Sequence, residues 1–153
     1  MHGHHGQEEA HDPSNVPSMG TTNISTPARV IYGGVTYSRS STHLGNSLIQ
    51  FYPNGDQRQL PVVGEIEKIE IEGGKINFLV HRQQPAEIGR IDPFGHYPHL
   101  TMKLYSTDLA PEAEQVSIEC VLGHIARCTL NLKDAVILLL NKVSLLCSFS
   151  TLT

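Results

Sequence analysis

Apolar and polar residues alternate most clearly between positions 64 and 82, where the chain reads Gly-Glu-Ile-Glu-Lys-Ile-Glu-Ile-Glu-Gly-Gly-Lys-Ile-Asn-Phe-Leu-Val-His-Arg. A period of two is the signature of a strand with one face turned inward. Ile76, Phe78 and Val80 share a face of the second strand, and Leu79 on the other face predicts a strand covered on both sides. Gly73-Gly74 between the two runs supplies the positive φ angles that a tight hairpin turn demands. Ile69 and Ile71 alternate in the first strand, but Ile66 is out of phase with them. One extra residue near Glu67-Lys68, a β-bulge, restores the pattern.

The remaining pattern predicts a small all-β domain built around this hairpin. Order is expected to begin at Arg29-Val30-Ile31-Tyr32, with a Gly33-Gly34 break before Val35-Thr36-Tyr37. Residues 46–52 form a further apolar strand that stops at Pro53-Asn54-Gly55-Asp56, a strong turn signal. Pro85, Gly89, Pro93, Gly95 and Pro98 exclude regular structure from 83–99 and predict a long loop. Residues 100–105 read as a strand, and 108–115, with Pro111, as a turn or short helical piece. Over 116–132, Val116, Ile118 and Cys120 alternate like a strand, whereas Val121, Leu122, Ile125 and Ala126 suit a helix; Gly123 and the β-rich context favour strands. Three regions result: a polar, His-rich stretch over 1–28 expected to be disordered, the β domain over 29–133, and an apolar segment over 134–153. That last segment reads as a closing strand or helix, or as the end of a truncated reading frame.

Composition narrows the class. A chain of 153 residues holds one domain with a core of its own. A net charge of -4 and a pI near 6.1 argue against a free-standing nucleic-acid binder. Cys120, Cys128 and Cys147 make an odd thiol count, which fits a reducing compartment, nucleus or cytosol. The Asn23-Ile24-Ser25 sequon then carries no meaning. The first twenty residues are polar and show no secretory signal, and the run 135–147 is broken by Asn141, Lys142 and Ser144. It falls short of the roughly 20 apolar residues a membrane helix needs, so the chain is expected to be soluble.

Candidate chemistry is sparse. His96-x2-His99 and Cys120-x3-His124-x3-Cys128 offer nitrogen and sulfur ligands, but the apolar setting of the cysteines suits buried, unliganded thiols. His2, His4 and His5 would chelate metals only adventitiously. No oxyanion motif accompanies a Cys–His pair, Glu65, Glu67, Glu70 and Glu72 suit the solvated face of a strand, and the Gly-Gly pairs lack the Lys-Ser/Thr of a phosphate loop. No catalytic residue, metal or cofactor is therefore expected. The proline-stiffened loop is the expected interaction surface, with Phe94, His96, Tyr97 and His99 on it and Arg82 beside it. In the alternative, Phe94 and Tyr97 fold back to plug the barrel.

The order of segments resembles a bromo-adjacent homology (BAH) module. Residues 31–37, Leu48-Ile49-Gln50-Phe51-Tyr52-Pro53, Val63-Gly64-Glu65-Ile66-Glu67-Lys68-Ile69 and Leu104-Tyr105-Ser106-Thr107-Asp108 carry the likeness. The chain is also similar to the region downstream of the catalytic domain in fungal CACTA-class transposases. There, segments like Tyr32-Gly33-Gly34-Val35-Thr36-Tyr37, Phe51-Tyr52-Pro53-Asn54-Gly55-Asp56 and Asp92-Pro93-Phe94-Gly95-His96-Tyr97-Pro98 recur together. BAH modules often carry Trp and Tyr just after the central hairpin; this chain has His81-Arg82-Gln83-Gln84 there and no Trp. The resemblance implies a small BAH-like barrel and a non-enzymatic, nuclear, chromatin-associated interaction module of transposon origin, with a peptide or protein partner such as a histone tail. The alternative it implies is a detached accessory fragment of a transposase that engages DNA or the catalytic subunit, with or without retained function.

Overall fold

A computed structural model describes residues 23–140. Among these residues eight strands run in the order β1 (Arg29–Tyr32), β2 (Val35–Ser38), β3 (Leu48–Phe51), β4 (Val62–Glu72), β5 (Lys75–Pro85), β6 (Met102–Ser117), β7 (Val121–Thr129) and β8 (Asp134–Leu139). The last six close into a barrel in the order β3-β4-β5-β6-β8-β7, with β3 and β7 completing the ring. β1 and β2 form a separate antiparallel hairpin. The fold is all-β, and closure leaves the barrel no open sheet edge.

The central hairpin follows directly from its residues. Glu72 pairs with Lys75, so Gly73 and Gly74 alone make the turn, at φ of +56° and +81°. Those left-handed values at both central positions are the geometry glycine accommodates. Ile66 pairs with Val80 and Lys68 with Leu79, which leaves Glu67 as the extra residue of a bulge. The bulge returns Ile66 to the face of Ile69, and both are fully buried. Gly64 is required for a different reason. A Cβ there would lie 2.6 Å from the His81 carbonyl oxygen and 2.6 Å from Val80 Cγ1, so only glycine lets β5 approach so closely.

Two apolar cores result. On one face of β3, β4 and β5, Ile49, Phe51, Ile66, Phe78 and Val80 pack under Tyr37 of β2 and against Val116 and Ile118. On the other face, Leu48, Val63, Ile125 and Ile137 meet from β3, β4, β7 and β8, joined by Tyr105 and Leu139. This second face is the barrel lumen. Arg127 on β7 reaches Glu65 on β4 and Gln83 on β5, neither strand its neighbour in the sheet, and the interior is the path between them.

Several boundaries differ from the sequence-based expectation. The loop begins at residue 86, because Gln83, Gln84 and Pro85 complete β5. Residues 108–115 are part of the sixteen-residue β6 and form no helical piece. The register slips between the pairs Gln83–Leu109 and His81–Ala113, so Pro111 falls in a bulged stretch where its missing N–H breaks no ladder bond. The 116–132 segment forms the end of β6, a short 3-10 turn at Ile118–Cys120, and β7. The barrel extends past residue 133: β8 lies between β6 and β7, and both its faces are covered, which explains its unpunctuated apolar run. Ser25, placed in the expected disordered stretch, exchanges two backbone bonds with Ile71 at 3.0 and 2.8 Å. The rest of that expectation (residues 1–22), and residues 141–153 of the apolar segment, lie outside the described residues.

Candidate functional site

The lumen opens at one end into a cavity of about 310 Å³. Six of its lining residues alternate along four strands of the lumen face: Gln50, Val63, Lys103, Tyr105, Ile137 and Leu139. Leu60 and Pro61, just before β4, form one lip, and Leu100, Thr101 and Met102, where the long loop meets β6, form the other. Leu60 is 86% exposed and Leu100 39%, so apolar side chains stand open to solvent at the rim. Larger clefts of about 390 and 480 Å³ lie near the hairpin turn and the Ile118–Cys120 turn, and glycine, lysine, asparagine, serine and glutamate contribute to their walls. A cleft of about 460 Å³ between the long loop and the start of β8 also has apolar walls, at Ile91, Pro93, Leu104 and Leu130, but the Arg90–Asp134 ion pair lies in it. The mouth is the apolar opening that continues the lumen.

The long loop is a chain of tight turns rather than a free strand. Backbone N–H groups of Gly95, Tyr97 and Leu100 donate to the carbonyls of Asp92, Phe94 and Tyr97 at 3.2, 2.9 and 2.8 Å. Asp92 pins it to the barrel, its carboxylate accepting from the Phe94 N–H at 2.9 Å and the Leu104 N–H at 3.1 Å. Arg90 donates to Asp134 of β8 through Nε and Nη2, and Asn131 donates to the same carboxylate at 2.8 Å. Asn131 first and Arg90 next hold the Asp134 carboxyl below its ordinary range. Burial, with the Asp92 charge nearby, pushes the Tyr105 phenol up, so it stays neutral in the mouth wall.

The five sequence-predicted residues do not form one cluster. Phe94 is half-buried, while His96, Tyr97 and His99 are exposed, and the Tyr97 and His99 rings meet edge to face at 6.1 Å. Arg82 is engaged elsewhere: its guanidinium donates twice to Glu114 on β6, at 2.6 and 2.7 Å. Gln83, its neighbour, is buried in the lumen. The stretch where BAH modules often carry aromatics thus holds the barrel together in this chain. The mouth residues Lys103, Tyr105, Ile137 and Leu139 were invisible to sequence reasoning, because only barrel closure brings them together.

The histidines and cysteines have other duties. Both ring nitrogens of His124 face backbone carbonyls, Leu48 at 3.1 Å and Thr36 at 3.0 Å, which ties the β1–β2 hairpin to the barrel. Cys120 is half-buried and Cys128 is exposed, so the expectation of buried core thiols fails at Cys128, on the outward side of β7. No group of three or more His, Cys, Asp or Glu is placed to hold a metal among the described residues, and no helix there is long and apolar enough to cross a membrane. Comparison with protein-family models, curated proteins and solved structures finds no match to this chain.

His81 gives the barrel a pH dependence. Its Nδ1 lies 2.8 Å from the Ala110 carbonyl, which can only accept, so Nδ1 donates there. Nε2 lies 3.0 Å from a carboxylate oxygen of Glu67, the bulge residue, and donates to it only when the ring is protonated. The Ala110 carbonyl first, then Glu67, raise the His81 pKa above its ordinary value. A raised folded-state value means the added stability is fully present below the unfolded value and is lost as pH rises through the folded one. His81→Gln should therefore lower the melting temperature more at pH ~5.5 than at pH ~8.5, on either side of the ordinary histidine range. Equal losses at both would remove His81 as the titrating group.

Proposed function

We propose that this chain is a non-enzymatic interaction module that takes an apolar side chain of a protein or peptide partner into the mouth of its barrel. The carrying observation is the open cavity whose apolar walls continue onto solvent-exposed rim residues, Leu60 and Leu100. Exposed apolar surface around a concavity is the usual mark of a docking site. The resemblance to BAH modules and to the CACTA transposase region supports a nuclear, chromatin-associated setting and descent from a mobile element. Peptides are favoured over DNA as the ligand because six of the 11 Lys and Arg residues are already paired with carboxylates among the described residues. Phosphate binding draws on unpaired cations arranged along a groove.

The test is a binding screen of the full chain against labelled peptides with Leu or Phe anchors, histone-tail peptides and duplex DNA, at low and high salt. Saturable peptide binding that changes little with salt is the expected result. Leu60→Ser should weaken it about tenfold, the loss of one well-buried leucine contact. Because Leu60 is exposed, the same substitution should leave the melting temperature nearly unchanged. DNA binding that collapses with salt would replace this reading with the transposase-accessory one, and binding to neither class would overturn both.

A further inference from the structure

Lys103 is the charged residue of the cavity lining, and among the described residues no Asp or Glu lines the cavity with it. The Asp92 carboxylate, whose charge reaches Tyr105, lies outside the lining and is occupied by the Phe94 and Leu104 N–H groups. Like Arg29, Arg39 and Lys75, and unlike the six paired cations, Lys103 has no carboxylate at ion-pair distance among the described residues; its ammonium lies over the Tyr105 ring, 5.6 Å from the centroid. Attraction to the ring face holds the ammonium at the cavity wall without neutralising it. About 310 Å³ is also the low end for pockets that enclose a whole small molecule, and this one is open to solvent. It suits one anchoring side chain with the rest of its chain lying across the rim.

We infer that the occupant is an acidic peptide segment, with an apolar anchor in the mouth and an Asp or Glu one or two residues away paired to Lys103. This rests on the binding reading above and narrows it: the charge pattern favours acidic partners over the Lys- and Arg-rich tails of histones. The carboxylate adds selectivity and the anchor most of the affinity, since a rim ion pair contributes little in water.

Fluorescence anisotropy on the full chain tests this with labelled peptides of equal length, each with a central Leu flanked by Glu, Ser or Lys. The Glu-flanked peptide should bind about threefold to fivefold tighter than the Ser-flanked one at low salt, the range of an exposed pair. High salt should erase that margin and leave the common affinity. Lys103→Met should abolish the preference, Lys103→Arg should keep it, and Lys103→Glu should turn it toward the Lys-flanked peptide. Lys103 is exposed, so each variant is expected to melt like the parent chain. Equal affinity for all three peptides, or a preference that survives Lys103→Met, overturns the acidic-partner inference and leaves the apolar docking site standing. If none of the peptides binds, the docking site falls with it.

Discussion

Replacing Arg127 by Met should cost about 3 kcal/mol of folding free energy, the low end for breaking a buried ion pair. The reason lies in the lumen. Arg127 donates to Glu65 at 2.8 Å and to the Gln83 side-chain oxygen at 3.0 Å, and the Arg127 and Glu65 side chains are each only 16% exposed. Gln83 in turn donates to the backbone carbonyls of Ser106 at 2.6 Å and Asp108 at 3.2 Å, where β6 bends. One guanidinium thus links β4, β5 and β7 across the interior and, through Gln83, steadies β6. Methionine fills much of the same space but leaves the Glu65 carboxylate without its counter-charge. The cost is therefore mainly the stranded carboxylate rather than lost packing, and Glu65→Gln in the same chain should recover most of it. Urea unfolding of the single and double variants, with the slope unchanged, gives the comparison. A single variant within about 0.5 kcal/mol of the parent would show the pair to be solvated and the lumen wet at that end.

What could be read from the sequence was local. The central hairpin announces itself because its turn, alternation and bulge are settled within about twenty residues: Gly73-Gly74 allow one turn geometry, and Ile66 can join Ile69 and Ile71 only if Glu67 is extruded. Strand pairings between distant segments leave no such mark. Pro111 argues for a break in β6 until its position is known to coincide with a register slip against β5. The run over 134–139 reads equally as strand or helix until it is found between β6 and β7 with both faces covered.

The site was legible only at its edge. Prolines and glycines marked the long loop over 83–99, and the lip at Leu100, Thr101 and Met102 begins just past it, in residues that read as a strand. The loop's aromatic and imidazole residues drew attention because such groups concentrate at interfaces, yet the walls come from Val63, Tyr105, Ile137 and Leu139 on three separate strands. Nothing in the chain order joins those residues. One usable signal was Leu60, an apolar residue directly after the polar run Asp56-Gln57-Arg58-Gln59, where a turn gives it no core to enter. Arg82 shows the opposite error: a cation beside a predicted binding loop invites a functional role, but Glu114 on the adjacent strand already accepts from its Nε and Nη2.

The outer core should be the more fragile of the two, and Phe78→Ala should cost about 4 kcal/mol, enough to leave a domain of ordinary stability mostly unfolded on mild heating. Phe78 is fully buried, pairs with Ile69 on β4 and Val116 on β6, and its ring lies 5.4 Å from that of Tyr37. Tyr37 also stacks on His124 at 4.9 Å, so Phe78 and His124 together hold the β1–β2 hairpin against the barrel. Removing the ring leaves a void between the hairpin and three strands that the curved barrel cannot collapse to fill, which places the cost near the upper part of the usual range. Phe78→Leu keeps most of the volume and should cost about 1 kcal/mol. The milder variant also separates stability from binding: Phe78 faces the outer core while the mouth opens from the lumen, so Phe78→Leu should melt earlier yet bind mouth-directed peptides as the parent does. If affinity falls with stability in that variant, the outer core controls the shape of the mouth and the two faces are mechanically coupled.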